Sequence, residues 1–405
     1  MRRFTIDSSV IGSPKHIVGD PEGFLWSDSV PRDAWHLTGE VKTAPSAKCL
    51  DTLFRLTNRK IPQLPERYLT AMRCLVTGSV CMDIPWRYVI PQDEYRIFFK
   101  NVVQETTETF SSLPFDYYET AWTPGSRALG SLKPAKIDEK ILNDHIEKLG
   151  SSAPGLESFR PKKSGFAYPV YYDRFATRTG RLTVVEGPNI LVLKKTCRDV
   201  LQSSFEGGTV VSLDFKALEA RIVLAEAGKY SAEEDIYNEI SQKQFNGVLP
   251  RDVVKTAVLA DLYGISRGAL KARLGVSDQK LDAFMSVIRD YFKVESLRQR
   301  LKDQVGTSGK MLNRFGRPLN IPEGQDNLLV NSYAQSSGVD VAMIGFDSVL
   351  KRLGSDGIRP LFVLHDAIIL DVHPNRLTDV RECTSVDITT YEKPFPLKFE
   401  SLRDS

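Results

Sequence analysis

The sequence predicts a mixed α/β (α+β) fold in which short strands ending in acids share one antiparallel sheet and helices lie between them. Three stretches predict it. Thr209–Leu213 is a β-branched apolar run that leads into Asp214, and a helical pattern then opens near Lys216 and closes at Gly228, with Leu218, Ile222 and Ala225 at core-facing spacing. Leu361–Val372 is two apolar runs meeting at His365–Asp366 and bracketed by Pro360 and Pro374, which predicts a hairpin with those two residues at its tip. Arg251–Tyr263 has helical periodicity behind Pro250: Arg251, Lys255, Leu259 and Tyr263 recur on one side, Val254, Ala257, Val258 and Leu262 on another. Two carboxylates at strand ends form a plausible cradle of hard oxygen ligands for Mg²⁺. Two cations one helical turn apart suit a polyphosphate, although a solvated basic stripe explains them as well.

The remaining elements follow in chain order. With 405 residues, 54 Lys+Arg against 51 Asp+Glu and a net charge of +3, the chain has the make-up of a globular protein of two or three units. An acidic partner would have to meet basic residues gathered in a channel. There is no run of eighteen apolar residues to span a membrane, and the start lacks the apolar core of a secretory signal. Five scattered cysteines (Cys49, Cys74, Cys81, Cys197, Cys383) without zinc spacing predict free thiols in a reducing compartment. Residues 1–60 are irregular in pattern, with strand-like fragments at Phe4–Ile6 and Phe24–Trp26; Asp7-Ser-Ser9 lacks the Glu of a nuclease Asp-x-Glu. Residues 65–112 are helical in pattern, broken by Pro85 and Pro91, and Ile137–Leu149 is a helix stopped by Gly150. Arg160, Lys162 and Lys163 form a basic loop. Strand-like pattern resumes from Ala167 and reaches the turn Thr177–Gly180. A capping box at Ser231–Glu234 opens one helix, Ser266 caps another that stops at Gly275, and Ser277 caps a third that runs to Phe292. Lys310–Pro322 is a hairpin with Arg314 and Arg317 beside its turn, and Leu328–Leu350 is a long amphipathic helix with Asn331 and Gln335 on one face.

Taken together, these stretches resemble family A DNA polymerases, the group containing bacterial DNA polymerase I. Asp214-Phe-Lys-Ala-Leu-Glu219-Ala-Arg221 is similar to the family's motif A. Arg251, Lys255, Tyr263 and Gly264 meet motif B, and His365 and Asp366 meet two of the three residues of motif C. Thr177-Arg-Thr-Gly-Arg181-Leu182, Pro188-Asn189, Asp235-Ile-Tyr237 and Asn331-x3-Gln335 resemble further family segments, in the family's order. The resemblance covers about Tyr171 to Ser405 and implies a right-hand polymerase fold with an antiparallel palm sheet, helical fingers and a helical thumb. Residues 1–60 would be an N-terminal extension, 61–165 the thumb-like region, 166–228 and 306–405 the two parts of the palm, and 229–305 the fingers.

The resemblance also implies roles. Asp214 and Asp366, with the Phe215 carbonyl, would hold two Mg²⁺ (Mn²⁺ substituting); Lys255 would meet the α/β-phosphates and protonate the leaving pyrophosphate; Arg251 would clamp the γ-phosphate. Glu219, hydrogen-bonded to Tyr263, would obstruct a ribose 2′-hydroxyl, while Leu259 and Tyr237 would border the dNTP. Arg181, Asn331, Gln335 and His365 would contact the primer end, and Arg314 and Arg317 the template phosphates. The implied function is template-directed addition of dNTPs to a primer 3′-hydroxyl without a proofreading nuclease. The expected partners are primer–template DNA and dNTPs, with no membrane and accessory proteins left open. The setting would be cytoplasmic, at a nucleoid or a phage or plasmid replication site, an organelle remaining open. Three departures stand out: Ala367 replaces motif C's Glu, Leu259 an aromatic residue, and Tyr237 a histidine. A T7-type RNA polymerase shares the Arg-x3-Lys helix and the His-Asp hairpin, but Glu219 would be pointless for rNTPs. A catalytically weak DNA-binding subunit is the other alternative, motivated by Ala367.

Overall fold

The computed structural model describes the chain except for residues 1, 2, 7–14, 21, 22, 32, 33, 38–49, 58, 60–63, 76–85, 113, 151–154, 162, 163, 232–234, 264–266, 323 and 403–405, together with some side chains inside elements, Tyr263 among them. Asp7-Ser-Ser9, Cys49, Cys81, Pro85, Lys162, Lys163, the capping-box residues 232–234, Gly264 and Ser266 lie outside the described residues.

The chain divides into two compact units, Met1–Phe115 and Asp116–Ser405. The first is more regular than its pattern predicts. The fragments at Phe4–Ile6 and Gly23–Ser27 are joined by His16–Asp20 and Trp35–Leu37 in a four-stranded sheet. Phe4–Ile6 is its hub, antiparallel to His16–Asp20 and parallel to Trp35–Leu37. The Phe4 ring lies 5.3 Å from Phe110 of the helix Gln92–Ser111, which buries both. The local pattern shows two of the four strands; His16–Asp20 and Trp35–Leu37, only five and three residues long, are too short to stand out in it.

The second unit is built on a five-stranded antiparallel sheet. Its central strand β1 (Thr209–Phe215) is flanked by the hairpin β2 (Ile358–Leu364) and β3 (Ala367–Val372) on one side. On the other side, β4 (Ser385–Val386) occupies the edge beyond β5 (Phe395–Ser401). In β1, Val210, Val211, Leu213 and Phe215 are at most 3% exposed, so both faces are covered and the strand reads as a continuous apolar run. The chain then turns through Ala217, in the left-handed region at φ 52°, into α1 (Leu218–Glu226). That residue explains why the helix begins two positions after the expected Lys216.

Between β1 and β2 lie α2 (Ile236–Phe245), α3 (Arg251–Tyr263), α4 (Arg267–Leu274), α5 (Asp278–Phe292), α6 (Val294–Ser308) and α7 (Leu329–Leu353). The cap of α2 is Asp235, whose carboxylate accepts from the Tyr237 and Asn238 amides, rather than the expected Ser231 box. Ser277 caps α5 as its position predicts. In α3, Val254, Ala257, Val258 and Leu262 are at most 2% exposed. Burial of Val254, Val258 and Leu262 contributes about 1.5–3 kcal/mol each, enough to fix which face of the helix turns inward. Most of α7 is buried, against α1 and the helix Thr123–Gly130. The helix expected from Ile137 begins at Glu139, because Asp138 caps it and Ile137 pairs in a short strand with Leu201. No helix among the described residues is long and apolar enough to cross a membrane. Cys197 and Cys383 are buried free thiols.

Candidate active site

The hairpin tip and the central strand end side by side. Leu364 pairs with Ala367 across a two-residue turn, so His365 and Asp366 are the turn itself. Ala367 in turn faces Asp214, and the Phe215 amide donates to the Asp366 carbonyl at 3.0 Å. Asp214 and Asp366 therefore stand at adjoining ends of hydrogen-bonded strands. His365 takes a left-handed φ of 56°, and Ala217 does the same just beyond Asp214. Such conformations cost a non-glycine residue on the order of 1–3 kcal/mol, and two within one turn of both acids mark a site held in place by its surroundings.

Burial pushes the Asp214 carboxyl up to about 7, with the charges of Asp366 and Glu400 adding to it. Burial likewise raises Asp366, and it lowers His365. Two partly buried acids that resist ionising together are suited to a bound cation, which relieves both the burial cost and their repulsion. Ala367, on the same side of the sheet as Asp214, supplies no third acid. Among the described residues no group of three or more His, Cys, Asp and Glu gathers as a metal cluster. A divalent ion would accordingly rest on Asp214, Asp366, backbone oxygen such as the Phe215 carbonyl, and substrate or water.

Both acids open into a cleft of about 780 Å³. Of the residues singled out in the sequence, Arg181, Phe215, Glu219, Tyr237, Arg251, Lys255, Leu259, Gln335 and His365 share its lining. Arg251 is ion-paired with Asp235, donates to Asp252 at 2.9 Å, and lies over the Tyr237 ring with its guanidinium carbon 5.7 Å from the centroid. Burial, with the Glu219 charge adding to it, pushes the Tyr237 hydroxyl up to about 12. Glu219 accepts from Arg181 Nη2 at 2.7 Å, while its buried Oε2 meets no hydrogen-bond donor among the described residues. The partner expected for Glu219, the Tyr263 side chain, lies outside the described residues.

Other expected residues stand elsewhere. Asn331 Oδ1 accepts from Gln335 Nε2 at 2.6 Å, and Asn331 does not line the cleft. Arg314 is tethered: its Nη2 donates to the Thr390 carbonyl at 2.8 Å and its guanidinium lies over Tyr391. Arg317 requires a correction. It is 5% exposed and its guanidinium is bonded to Tyr117 and the Arg174 carbonyl, so it faces the protein interior rather than template phosphates. A flanking position in a hairpin shows that a side chain is near a turn; only the packing beneath decides which way it points.

Sequence reasoning missed Lys398 and Glu400. Lys398 pairs opposite Asp214 in β5 and lines the cleft, ion-paired with Glu400. The alternation Leu397, Lys398, Phe399, Glu400 is the strand signal that would have placed both on one face.

Comparison with known proteins adds the family. The "DNA polymerase I, thermostable" of Thermus filiformis is 24% identical over 259 residues, 56% of this chain and 31% of that protein. The "DNA polymerase" of Mycobacterium phage L5 is 30% identical over 172 residues, 40% of this chain and 28% of that one. The chain thus spans less than a third of the length of these relatives. In fold, the "POL domain of Pol1 from M. smegmatis complex with DNA primer-template and dNTP" is similar with a TM-score of 0.60 at 15% identity, over 96% of this chain and 92% of that one. The sequence pattern of DNA polymerase family A matches residues 119–400, and the chain belongs to that family.

Proposed function

We propose that this chain is a template-directed DNA polymerase that adds dNTPs to a primer 3′-hydroxyl by two-metal-ion transfer, with no proofreading nuclease in these residues. The observation that carries the reading is the meeting of Asp214 and Asp366 at paired strand ends, in a cleft that also holds Arg251 and Lys255. The phage relative supports a replication setting. On this reading β1–β3 and β5 are the palm, α2–α5 belong to the fingers, and primer–template DNA and dNTPs are the partners.

The two carboxylates and the Phe215 carbonyl would hold Mg²⁺ or Mn²⁺, which would lower the pKa of the 3′-hydroxyl and offset charge at the reacting phosphorus. The chain's own groups do the rest. Arg251 exchanges Asp235 for the γ-phosphate, which its fork meets with two parallel donors. Lys255 binds the α/β-phosphates and holds at Nζ the proton that the leaving pyrophosphate takes up. Glu219, braced by Arg181, closes the space a ribose 2′-hydroxyl needs. His365, at the hairpin tip and favoured in its neutral form, can hydrogen-bond to the primer terminus.

Primer extension with Mg²⁺ or Mn²⁺ tests the reading. Extension by the wild type with dNTPs and its loss in Asp366→Ala are expected. No product from the wild type, or undiminished product from Asp366→Ala, removes it, and a preference for rNTPs transfers the site to the RNA polymerase reading.

A further inference from the structure

Two arginines of the second unit, Arg174 and Arg317, are buried and do not line the cleft. Arg174 is 4% exposed and Arg317 5%, and the charges of both act on one fully buried carboxylate, Asp340. Asp340 accepts from the Tyr117 hydroxyl at 3.2 Å and from Asn313 Nδ2 at 2.7 Å, and Arg174 Nη2 lies 3.8 Å away. Arg317 Nη2 donates to the Arg174 carbonyl at 2.9 Å, Nη1 to the Tyr117 hydroxyl at 3.4 Å, and the Arg317 amide to Asn313 Oδ1 at 2.9 Å. A buried guanidinium is costly unless its donors are used, so its neighbours define what it holds in place.

What it holds is the turn before Arg181. Gly180 is buried and adopts a positive φ of 79°. A Cβ there would overlap the Arg317 guanidinium, with Nη2 at 2.8 Å and Nη1 and Cζ nearer still. Glycine at 180 thus serves close approach as well as backbone sign. The turn is closed by the Gly180 amide donating to the Thr177 carbonyl at 3.1 Å and by Thr177 Oγ1 donating to the Arg181 carbonyl at 2.9 Å. Arg317 therefore grips the segment at both ends, by a hydrogen bond at residue 174 and by packing at residue 180. The next side chain, Arg181, enters the cleft and binds Glu219.

We infer that Arg317 is a positioning residue for Arg181: it carries the Thr177–Gly180 turn from beneath and so sets the Arg181–Glu219 pair, without touching nucleic acid. This rests on the polymerase reading for its kinetic consequence, though not for its structural one.

The test is a double-mutant cycle of Arg317→Met and Arg181→Ala, with Gly180→Ala as a second way to disturb the contact if Arg317→Met folds poorly. Single-nucleotide kcat/KM is expected to fall about tenfold or more in each single variant, and the double variant to be no worse than the poorer single. Gly180→Ala should lose activity in the wild type and none further on the Arg181→Ala background. The dependence of primer–template binding on salt should keep its slope in Arg317→Met, because no phosphate contact is lost. Amide exchange over residues 174–182, measured without DNA, should quicken in Arg317→Met and in Gly180→Ala. Effects that multiply in the cycle, a slope reduced by about one, an inert Gly180→Ala or unchanged exchange would each overturn the inference. A wild type that extends no primer sinks the polymerase reading instead, and exchange still decides this one.

Discussion

Two glycines of α7 make the packing behind the catalytic strand measurable. At Gly345 an added Cβ would stand 2.6 Å from Cζ of Phe215, the residue after Asp214. The Phe215 ring is 3% exposed, with Phe346 and Phe395 at centroid distances of 5.7 and 6.4 Å. It has no open side to retreat into, so Gly345→Ala must displace the ring, and with it the end of β1, by about 1 Å to regain a carbon–carbon separation of ~3.6 Å. Overpacking of this kind costs about 1–3 kcal/mol. Alanine in a helix interior returns about 1 kcal/mol of that, leaving a net loss of roughly 0–2 kcal/mol. Gly338, seven residues earlier in the same helix, is the internal control. A Cβ there would meet Glu219, Ile222 and Leu218 at 3.6 Å each, ordinary contact, so Gly338→Ala should gain about 1 kcal/mol. The two variants should then differ by roughly 1–3 kcal/mol, or several degrees in melting temperature at about 2–4 °C per kcal/mol. Thermal melts read the stability. Primer extension reads the function, and Gly345→Ala should lose turnover while keeping primer–template affinity. Equal melting temperatures for the two variants would refute the claim that Phe215 is locked between α7 and the sheet.

The pH dependence of metal binding follows from Asp214. With its carboxyl near 7 in the metal-free protein, the ionised fraction rises from about one-tenth at pH 6 to nine-tenths at pH 8, so Mn²⁺ affinity by titration calorimetry should tighten about tenfold over that range and proton release should accompany binding. The sign for stability is opposite. Between pH 4 and 7 the unfolded chain gives up this proton and the folded chain keeps it, so the metal-free protein loses stability as pH rises through that window, a loss that should be absent from Asp214→Asn melts. Glu219→Ala should raise rNTP incorporation relative to dNTP in matched single-turnover assays, and an unchanged ratio would remove Glu219 from sugar selection. A primer with a 3′ mismatch should be recovered uncleaved; its trimming by the pure chain would contradict the absence of proofreading.

Much of the site was legible because its residues are tied to local punctuation. Asp214 leaves a β-branched run, Asp366 sits between two apolar strands, and the four-residue spacing of Arg251 and Lys255 states its own helix face. Side-chain periodicity is a near-neighbour property, and a single sequence displays it directly. The family order of motifs then linked stretches that no periodicity could join.

Tertiary contact decided the rest. Arg314 and Arg317 stand three residues apart in one hairpin, yet one lies on the surface over Tyr391 and the other goes inside to Tyr117, some two hundred positions away in the chain. Lys398 became part of the cleft only when β5 paired with β1 and set it opposite Asp214. In the first unit, His16–Asp20 and Trp35–Leu37 joined the two legible fragments only through pairing with Phe4–Ile6. By itself the sequence determined which residues carry charge and on which face of a local element each lies. Which partner that charge meets was left to packing, because the energy of a buried charge depends on groups brought in from distant parts of the chain.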